Sequence, residues 1–299
     1  MSTPLPALTL MATPRRARTV IDLCREAEER GFAGIYSPSL GDAMGLCQAL
    51  ATETKTIRFG TSIVNMHTRH PGDYARSAAF IHELAEGRFD FGVGVSHDPI
   101  NEAMGLRTGR PIADTRRFVE AVRNTRGIGE LPPIIIAALR DPMVRLAGEI
   151  ANGLVFANAA LSRTEQSLAT LPKTRADNFF IGNMIPVCVT EDLEAGAARN
   201  RKTMAFYLTL PNYRLYWKAA GFETEMENVE RGIEAGEKNL PALAGDRWLA
   251  DCTVFGPPSH VRDRVDAWRA AGVTTPILVP SSVEGNQAQA VREIFAVYE

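Results

Sequence analysis

Long apolar runs are missing from this 299-residue chain: no stretch approaches the roughly 18 residues that a membrane-crossing helix needs. An excess of one charge is missing too. Lys and Arg number 33 against 35 Asp and Glu, for a formal net charge of −2. The signs are mixed along the chain, so no basic face advertises nucleic acid. Cysteine is scarce. Cys24, Cys47, Cys188 and Cys252 lie far apart with no C-x-x-C pair, which predicts a reduced, cytoplasmic protein. A secretory leader is not expected either, because the apolar start Met1–Met11 is followed, not preceded, by Arg15 and Arg16. There is no internal repeat and no low-complexity tract. What remains, 45% hydrophobic and 23% charged residues, is ordinary for a soluble globular protein. The length fits one α/β barrel of ~250 residues with an insertion, or two smaller domains.

The stretch from Ile57 to Ser96 organises the rest. Ile57–Val64 is a short run dense in β-branched and aromatic residues, and Thr68-Arg69-His70-Pro71 is a turn with proline where a helix begins. Ala78, Ile81, Leu84 and Ala85 then recur at helical spacing up to a terminating Gly87, and Arg88–Val95 is a second strand. Strand, helix and strand within about forty residues form a βαβ unit with parallel strands. Both strands end in polar residues: Asn65 and His67 after the first, Ser96, His97 and Asp98 after the second. Ligands bind at such carboxyl ends.

The same alternation covers most of the chain. Strands are expected at 7–11, 33–37, 133–138, 154–157, 179–189 (broken near Pro186) and 276–280. Helices are expected at 19–30, 42–52, 112–126, 142–151, 162–171, 192–206 and 258–271. Asp141 reads as an N-cap with Pro142 at N1, and Asn152-Gly153 as a left-handed helix stop. About eight strands, each coupled to a helix, predict a single domain over 1–299: a (β/α)8 TIM barrel, α/β in class. The alternation pauses from about 210 to 251, an aromatic and acidic insertion before the last helix-strand unit.

Single motifs are weak. Gly92-Val93-Gly94 lacks the third glycine of a dinucleotide loop, since His97 stands there; close approach of a neighbouring backbone explains the glycines better. Gly94-Val95-Ser96-His97-Asp98 is not G-x-S-x-G, and adjacent strand residues face opposite ways. His67, His70, His97 and Asp98 are residue types that bind metals, which leaves a metal-dependent hydrolase as an alternative. Against it, Leu8-Thr9-Leu10 offers no H-x-H pair, and His82-Glu83-Leu84-Ala85-Glu86 is not H-E-x-x-H. The helix start after Leu139-Arg140-Asp141-Pro142 reads equally as an ordinary cap or as a phosphate site.

Taken together, several segments resemble the bacterial luciferase-like superfamily of barrel oxidoreductases, which use FMN or the deazaflavin F420. They are Gly60–Val64 with Thr68–Pro71, Leu84–Phe89 with Gly92-Val93-Gly94, Arg145–Gly153, and Gly256–Gly272 with its closing strand. The match runs in order over nearly the whole chain. It implies hydride transfer between a flavin-type cofactor, F420 favoured over FMN, and a small organic substrate. The alternatives are an FMN-dependent monooxygenase using oxygen and a non-catalytic flavin-binding barrel. Cofactor contacts are implied at Ser37, Ser62, Ile63, Asn65, Gly94, Val95, Ser96, Leu139, Arg140 and Asp141. His67 and His97 are the candidates for proton handling, because histidine titrates near working pH. The chain also departs from the family's pattern. Ser37-Pro38-Ser39 stands where many F420-dependent members have Asp-His, His97 where sugar-phosphate oxidisers have glutamate, and Arg140-Asp141 where Gly-Pro is usual.

Three further expectations follow from the resemblance. The third strand carries a bulge with a non-prolyl cis peptide at Ser62–Ile63, whose backbone backs the cofactor ring. The insertion covers the barrel mouth, so that Tyr213, Arg214 and Trp217, with Tyr216, Lys218 and Phe222, line a substrate cavity; Tyr213 and Trp217 share a helical face. The other reading is that these aromatics only pack the insertion. Finally, the protein is a homodimer through the helices flanking strands two to four, with Ala43, Leu46, Ala49, Leu50, Ala78 and Ala79 allowing close packing.

Overall fold

Strand and helix alternate through the computed structural model, which describes residues 4–299. In order they are β1 (Ala7–Leu8), α1 (Ala17–Glu29), β2 (Gly34–Ser37), α2 (Ala43–Glu53), β3 (Arg58–Thr61), β4 (Val64–Asn65), α3 (Pro71–Leu84) and β5 (Phe89–Gly94). Then come α4 (Asp98–Ala103), α5 (Pro111–Arg123), β6 (Ile134–Ala137), α6 (Asp141–Ile150), β7 (Gly153–Ala157), α7 (Leu161–Leu168), β8 (Phe180–Val189) and α8 (Leu193–Leu208). The chain ends with α9 (Pro211–Ala219), α10 (Glu223–Glu234), α11 (Leu240–Leu243), α12 (Gly245–Cys252), β9 (Val254–Gly256), α13 (Pro258–Ala270), β10 (Thr275–Ser281) and α14 (Gln287–Val297). Among the described residues no helix is long and apolar enough to cross a membrane.

Two compact units emerge. The first takes the chain up to Phe156 together with Thr170–Gly182; the second takes Ala157–Ala169 and Asn183–Glu299. In the first, parallel strands run in the order β1-β2-β3-β5-β6-β7, with β4 also beside β5. One face of this sheet meets the helices. Phe59, Phe89 and Phe91 are fully buried there, Tyr74 of α3 packs on Phe91, and Phe118 of α5 packs on Tyr74. The other face carries Tyr36, Arg58 and Asp90, where the Asp90 carboxylate accepts from the Tyr36 hydroxyl at 2.9 Å and from Arg58 at 2.5 Å. Burial raises the pKa of Asp90, and Arg58 and Tyr36 oppose that rise. In the second unit β8 pairs with β9 in parallel, and with β10.

Several local expectations need correction. β8 runs unbroken through Pro186, which precedes the residues that pair with β9. Arg140, not Asp141, is the N-cap of α6, so Asp141 and Pro142 lie inside its first turn. No left-handed stop forms at Asn152-Gly153. Gly153 is instead a site of close approach, where an added Cβ would lie 2.5 Å from the Cβ of Phe180. The insertion is folded into helices, α9 to α12, joined by short turns. Helices α4 and α14 and the strand β9 were not foreseen; α4 and β9 are too short to show a clear period, and the stretch before α14 is rich in loop-forming residues.

Two side chains fasten α1 and α2 to the sheet. Arg88 donates to the carbonyls of Ala51 and Thr54 at the end of α2 and to that of Ile57 before β3, with its guanidinium over the Phe59 ring. Glu28 of α1 accepts three backbone N–H bonds, from Lys55, Thr56 and Ile57, and one from the Thr56 hydroxyl. Burial opposes the charged carboxylate, but these donors outweigh it and its pKa falls below the usual value. Such stabilisation is complete above the unfolded pKa, roughly 4.3, and is lost as pH falls through the folded one. Glu28→Ala should therefore cost about 1–3 kcal/mol at neutral pH. Urea unfolding should show the gap to the parent protein narrowing as pH drops toward about 3; a gap independent of pH would contradict this account.

Candidate functional site

The site is built around a bulge. β3 pairs with β5 at Phe59↔Phe89 and Gly60↔Asp90, and β4 pairs with β5 at Val64↔Val93 and Asn65↔Gly94. Thr61, Ser62 and Ile63 thus face only Phe91 and Gly92: one residue too many, which defines a β-bulge. The Ser62–Ile63 peptide within it is cis, as the resemblance implied. Ser62 N–H donates to the Ser37 carbonyl at 2.7 Å, and the Thr61 hydroxyl to the Gly92 carbonyl at 2.6 Å. The bulge leans over β5. A Cβ on Gly92 would lie 1.8 Å from the Thr61 carbonyl oxygen, and one on Gly94 would lie 2.9 Å from the Ala137 Cβ and 3.1 Å from Ile63 Cγ1. Gly92 and Gly94 are therefore required by a neighbouring backbone and side chain, as the sequence suggested, and not by a nucleotide loop.

At these carboxyl ends Ile63 and Ala137 remain half-buried, an apolar shelf beside Gly94. Two hydroxyls lie on neighbouring strands. Thr9, just past β1, and Ser37, ending β2, are 5% and 1% exposed, and neither side-chain oxygen has a partner among the described residues. Buried hydroxyls are seldom left so. Thr9 was not singled out in sequence; only its register, one residue past the Leu8↔Ile35 pair, brings it level with β2.

The two candidate histidines stand on adjacent loops. His67 is half-buried, and its N–H donates to Oδ1 of Asn65 at 3.0 Å. The Asn65 carbonyl accepts from the hydroxyls of Tyr74 at 2.9 Å and Thr68 at 2.8 Å. His97, also half-buried, is the N-cap residue of α4, and Ser96 before it turns the chain with a left-handed φ of 59°. Burial lowers the pKa of His97, and the neighbouring Asp98 charge only partly offsets this. Burial thereby disfavours the charged form of the imidazole. Val95 is half-buried beside Ser96, Leu139 is buried past β6, Arg140 is exposed, and Asp141 is half-buried. His70 lies apart in role: its Nδ1 accepts from Gly72 N–H at 3.1 Å and caps α3. Among the described residues no group of three or more His, Cys, Asp or Glu side chains is placed to hold a metal ion.

The insertion residues sit in the second unit. Trp217 is fully buried and donates to the Asn158 carbonyl at 3.2 Å, with its ring edge-on to Trp248 and tilted against Tyr213. The Tyr216 hydroxyl accepts from Ala160 N–H at 3.1 Å. Arg214 donates to the Leu208 carbonyl at 2.7 Å and pairs with Glu230, which also takes Lys218 at 2.7 Å. These contacts bind the insertion to itself and to the loop after β7, so burial favours the packing reading of its aromatics. Of the residues expected at a dimer interface, Ala43, Leu46, Leu50, Ala78 and Ala79 are buried within the chain itself and cannot carry one. The exposed apolar residues of α3 are Phe80 and Leu84.

The chain is similar to known proteins along most of its length. A Mycobacterium tuberculosis protein described provisionally as a coenzyme F420-dependent oxidoreductase is 24% identical, over 88% of this chain and 91% of its own. A 5,10-methylenetetrahydromethanopterin reductase of Methanolobus tindarius is 22% identical, over 90% and 91% respectively. Among solved structures, the coenzyme F420-dependent tetrahydromethanopterin reductase of Methanopyrus kandleri superimposes with a TM-score of 0.78 at 18% identity, covering 98% of both chains. The oxygenating constituent of 3,6-diketocamphane monooxygenase from Pseudomonas putida, in complex with FMN, gives 0.62 at 17% identity, covering 98% of this chain and 97% of the other. The fold is accordingly a parallel TIM barrel with helices between its strands. With residues 3–275 matching the family as a whole, the chain belongs to the luciferase-like monooxygenase family.

Proposed function

We propose that this protein is an oxidoreductase that binds F420 at the carboxyl ends of its strands and serves hydride transfer between it and a small organic substrate. The observation that carries this reading is the half-buried apolar shelf of Ile63 and Ala137 beside the bulge, at the carboxyl ends of the strands. A flat heteroaromatic ring needs an apolar floor and a few polar groups to fix its edge. Bound F420 or FMN would supply the hydride chemistry. The chain's own residues hold and orient. Ser62 and Ile63 present the bulge, Ser37 and Asn65 frame it, and Gly94 leaves room for Ile63. Val95, Ser96, Leu139, Arg140 and Asp141 belong to the loops that would surround the cofactor. A neutral His97 would take up a proton at an imidazole nitrogen, with His67 as the second candidate. Tyr213, Arg214 and Trp217 would shape the substrate side by fixing the insertion.

FMN is the second reading, supported by the likeness to the FMN-bound Pseudomonas putida enzyme. Fluorescence quenching separates the two: F420 should bind the apoprotein at least tenfold more tightly than FMN, and the reverse order would transfer the proposal to a flavin enzyme. Ile63→Asp, which puts a charge on the shelf, should abolish binding of either ring. An unchanged dissociation constant would show that the shelf is not the site.

The low pKa of His97 can be read directly. Its NMR titration should have a midpoint below the ordinary histidine value of ~6.5. Asp98→Asn, by removing the charge that stabilises the imidazolium, should lower it further; a rise would contradict the assignment.

We also propose a homodimer in which Phe80 and Leu84 of α3 are covered. Light scattering at micromolar concentration should give twice the chain mass, and Phe80→Asp should give a monomer. A monomeric parent protein would refute this.

A further inference from the structure

We infer that Asn101 is a positioning residue whose carboxamide joins the two histidine-bearing loops, so that His67 and His97 are set in place as one unit. The inference rests on the proposed function in that it treats both histidines as groups of the reaction site. Asn101 lies in the middle of α4, a six-residue helix, and is 2% exposed. Asparagine is a poor choice for a helix interior, because its side chain competes for the backbone. Its hydrogen bonds explain the choice. Oδ1 accepts from Asn65 Nδ2 at 2.8 Å, and Nδ2 donates to the Val95 carbonyl at 2.9 Å. The Asn101 N–H donates to the His97 carbonyl at 2.9 Å, so side chain and backbone grip both sides of the left-handed Ser96.

The other half of the bridge is Asn65. Its Oδ1 accepts the N–H of His67, and its carbonyl takes the hydroxyls of Tyr74 and Thr68. From the His67 N–H to the His97 carbonyl, the path thus runs through two buried amide residues and three hydrogen bonds. Each carboxamide must be donor and acceptor at once, since Asn65 gives one N–H to Asn101 while receiving another from His67. No hydrophobic isostere does this, and an ionised carboxylate has no hydrogen to donate. A buried pair joined in this way, each member both donor and acceptor, favours one arrangement. Displacing either amide must therefore move the histidine on the opposite loop.

The test reads the histidines directly. Asn101→Leu and Asn65→Leu, singly and together, are compared by the imidazole NMR resonances of His67 and His97 in the apoprotein. Asn101→Leu should move the His67 resonances, and Asn65→Leu those of His97. Ile100→Ala, which weakens α4 without touching the bridge, should leave His67 where it was. Titration of each variant with F420 should give a dissociation constant raised about tenfold by either change, and no further by both, because coupled residues are not additive. If Asn101→Leu shifts only His97, or the two changes are additive, the inference fails. If the parent protein binds neither F420 nor FMN, the proposed function fails while the NMR comparison still decides the coupling. Should the leucine variants be unfolded by circular dichroism, Asn101→Ser and Asn65→Ser are read in the same way.

Discussion

The side-chain space above Gly92 and Gly94 is filled by the neighbouring strand, and that constraint governs the carboxyl end of the first unit. With one residue too many opposite β5, the β3–β4 segment cannot stay in the plane of the sheet. It leans onto positions where any Cβ would collide. Ile63 is thereby lifted into a half-buried shelf beside Ala137, and the chain leaving the bulge passes directly into Asn65 and His67. Alanine at position 92 would meet backbone, not a movable side chain, so the bulge would have to be withdrawn.

Buried polar groups separate into two kinds. Asp90 receives the Tyr36 hydroxyl and the Arg58 guanidinium, and Glu28 collects a row of backbone N–H groups. These are satisfied within the protein, and their work is structural. Thr9 and Ser37 are equally buried but have hydroxyls with no partner among the described residues. An unpaired buried hydroxyl costs on the order of 1–3 kcal/mol. A ligand that supplied the missing partner would recover that energy.

His97 shows how packing changes the role of a residue whose chemistry was visible beforehand. As a residue type it could donate or accept a proton at neutral pH. Burial at the start of α4 disfavours the imidazolium, and the single nearby charge of Asp98 is too exposed to reverse this. The same short helix delivers Asn101 to Asn65, so the element that begins at one histidine also touches the loop of the other.

The alternation of strands and helices was legible before folding, because β-branched runs, helical spacing and the stops at Gly31, Gly87 and Gly272 are written within a few residues of one another. The family likeness of the sequence also located the cis Ser62–Ile63 peptide. Which buried groups are paired depends instead on packing. Asn65 and Asn101 meet across 36 positions of sequence, and Thr9 lies level with β2 through strand register alone. The aromatics of α9 could have faced a cavity or a core, and only folding placed Trp217 against Trp248. The physical reason is common to all of these. Local periodicity fixes what an element is, whereas a hydrogen-bond partner or a burial depth depends on distant segments brought together by packing, which no window of the sequence contains.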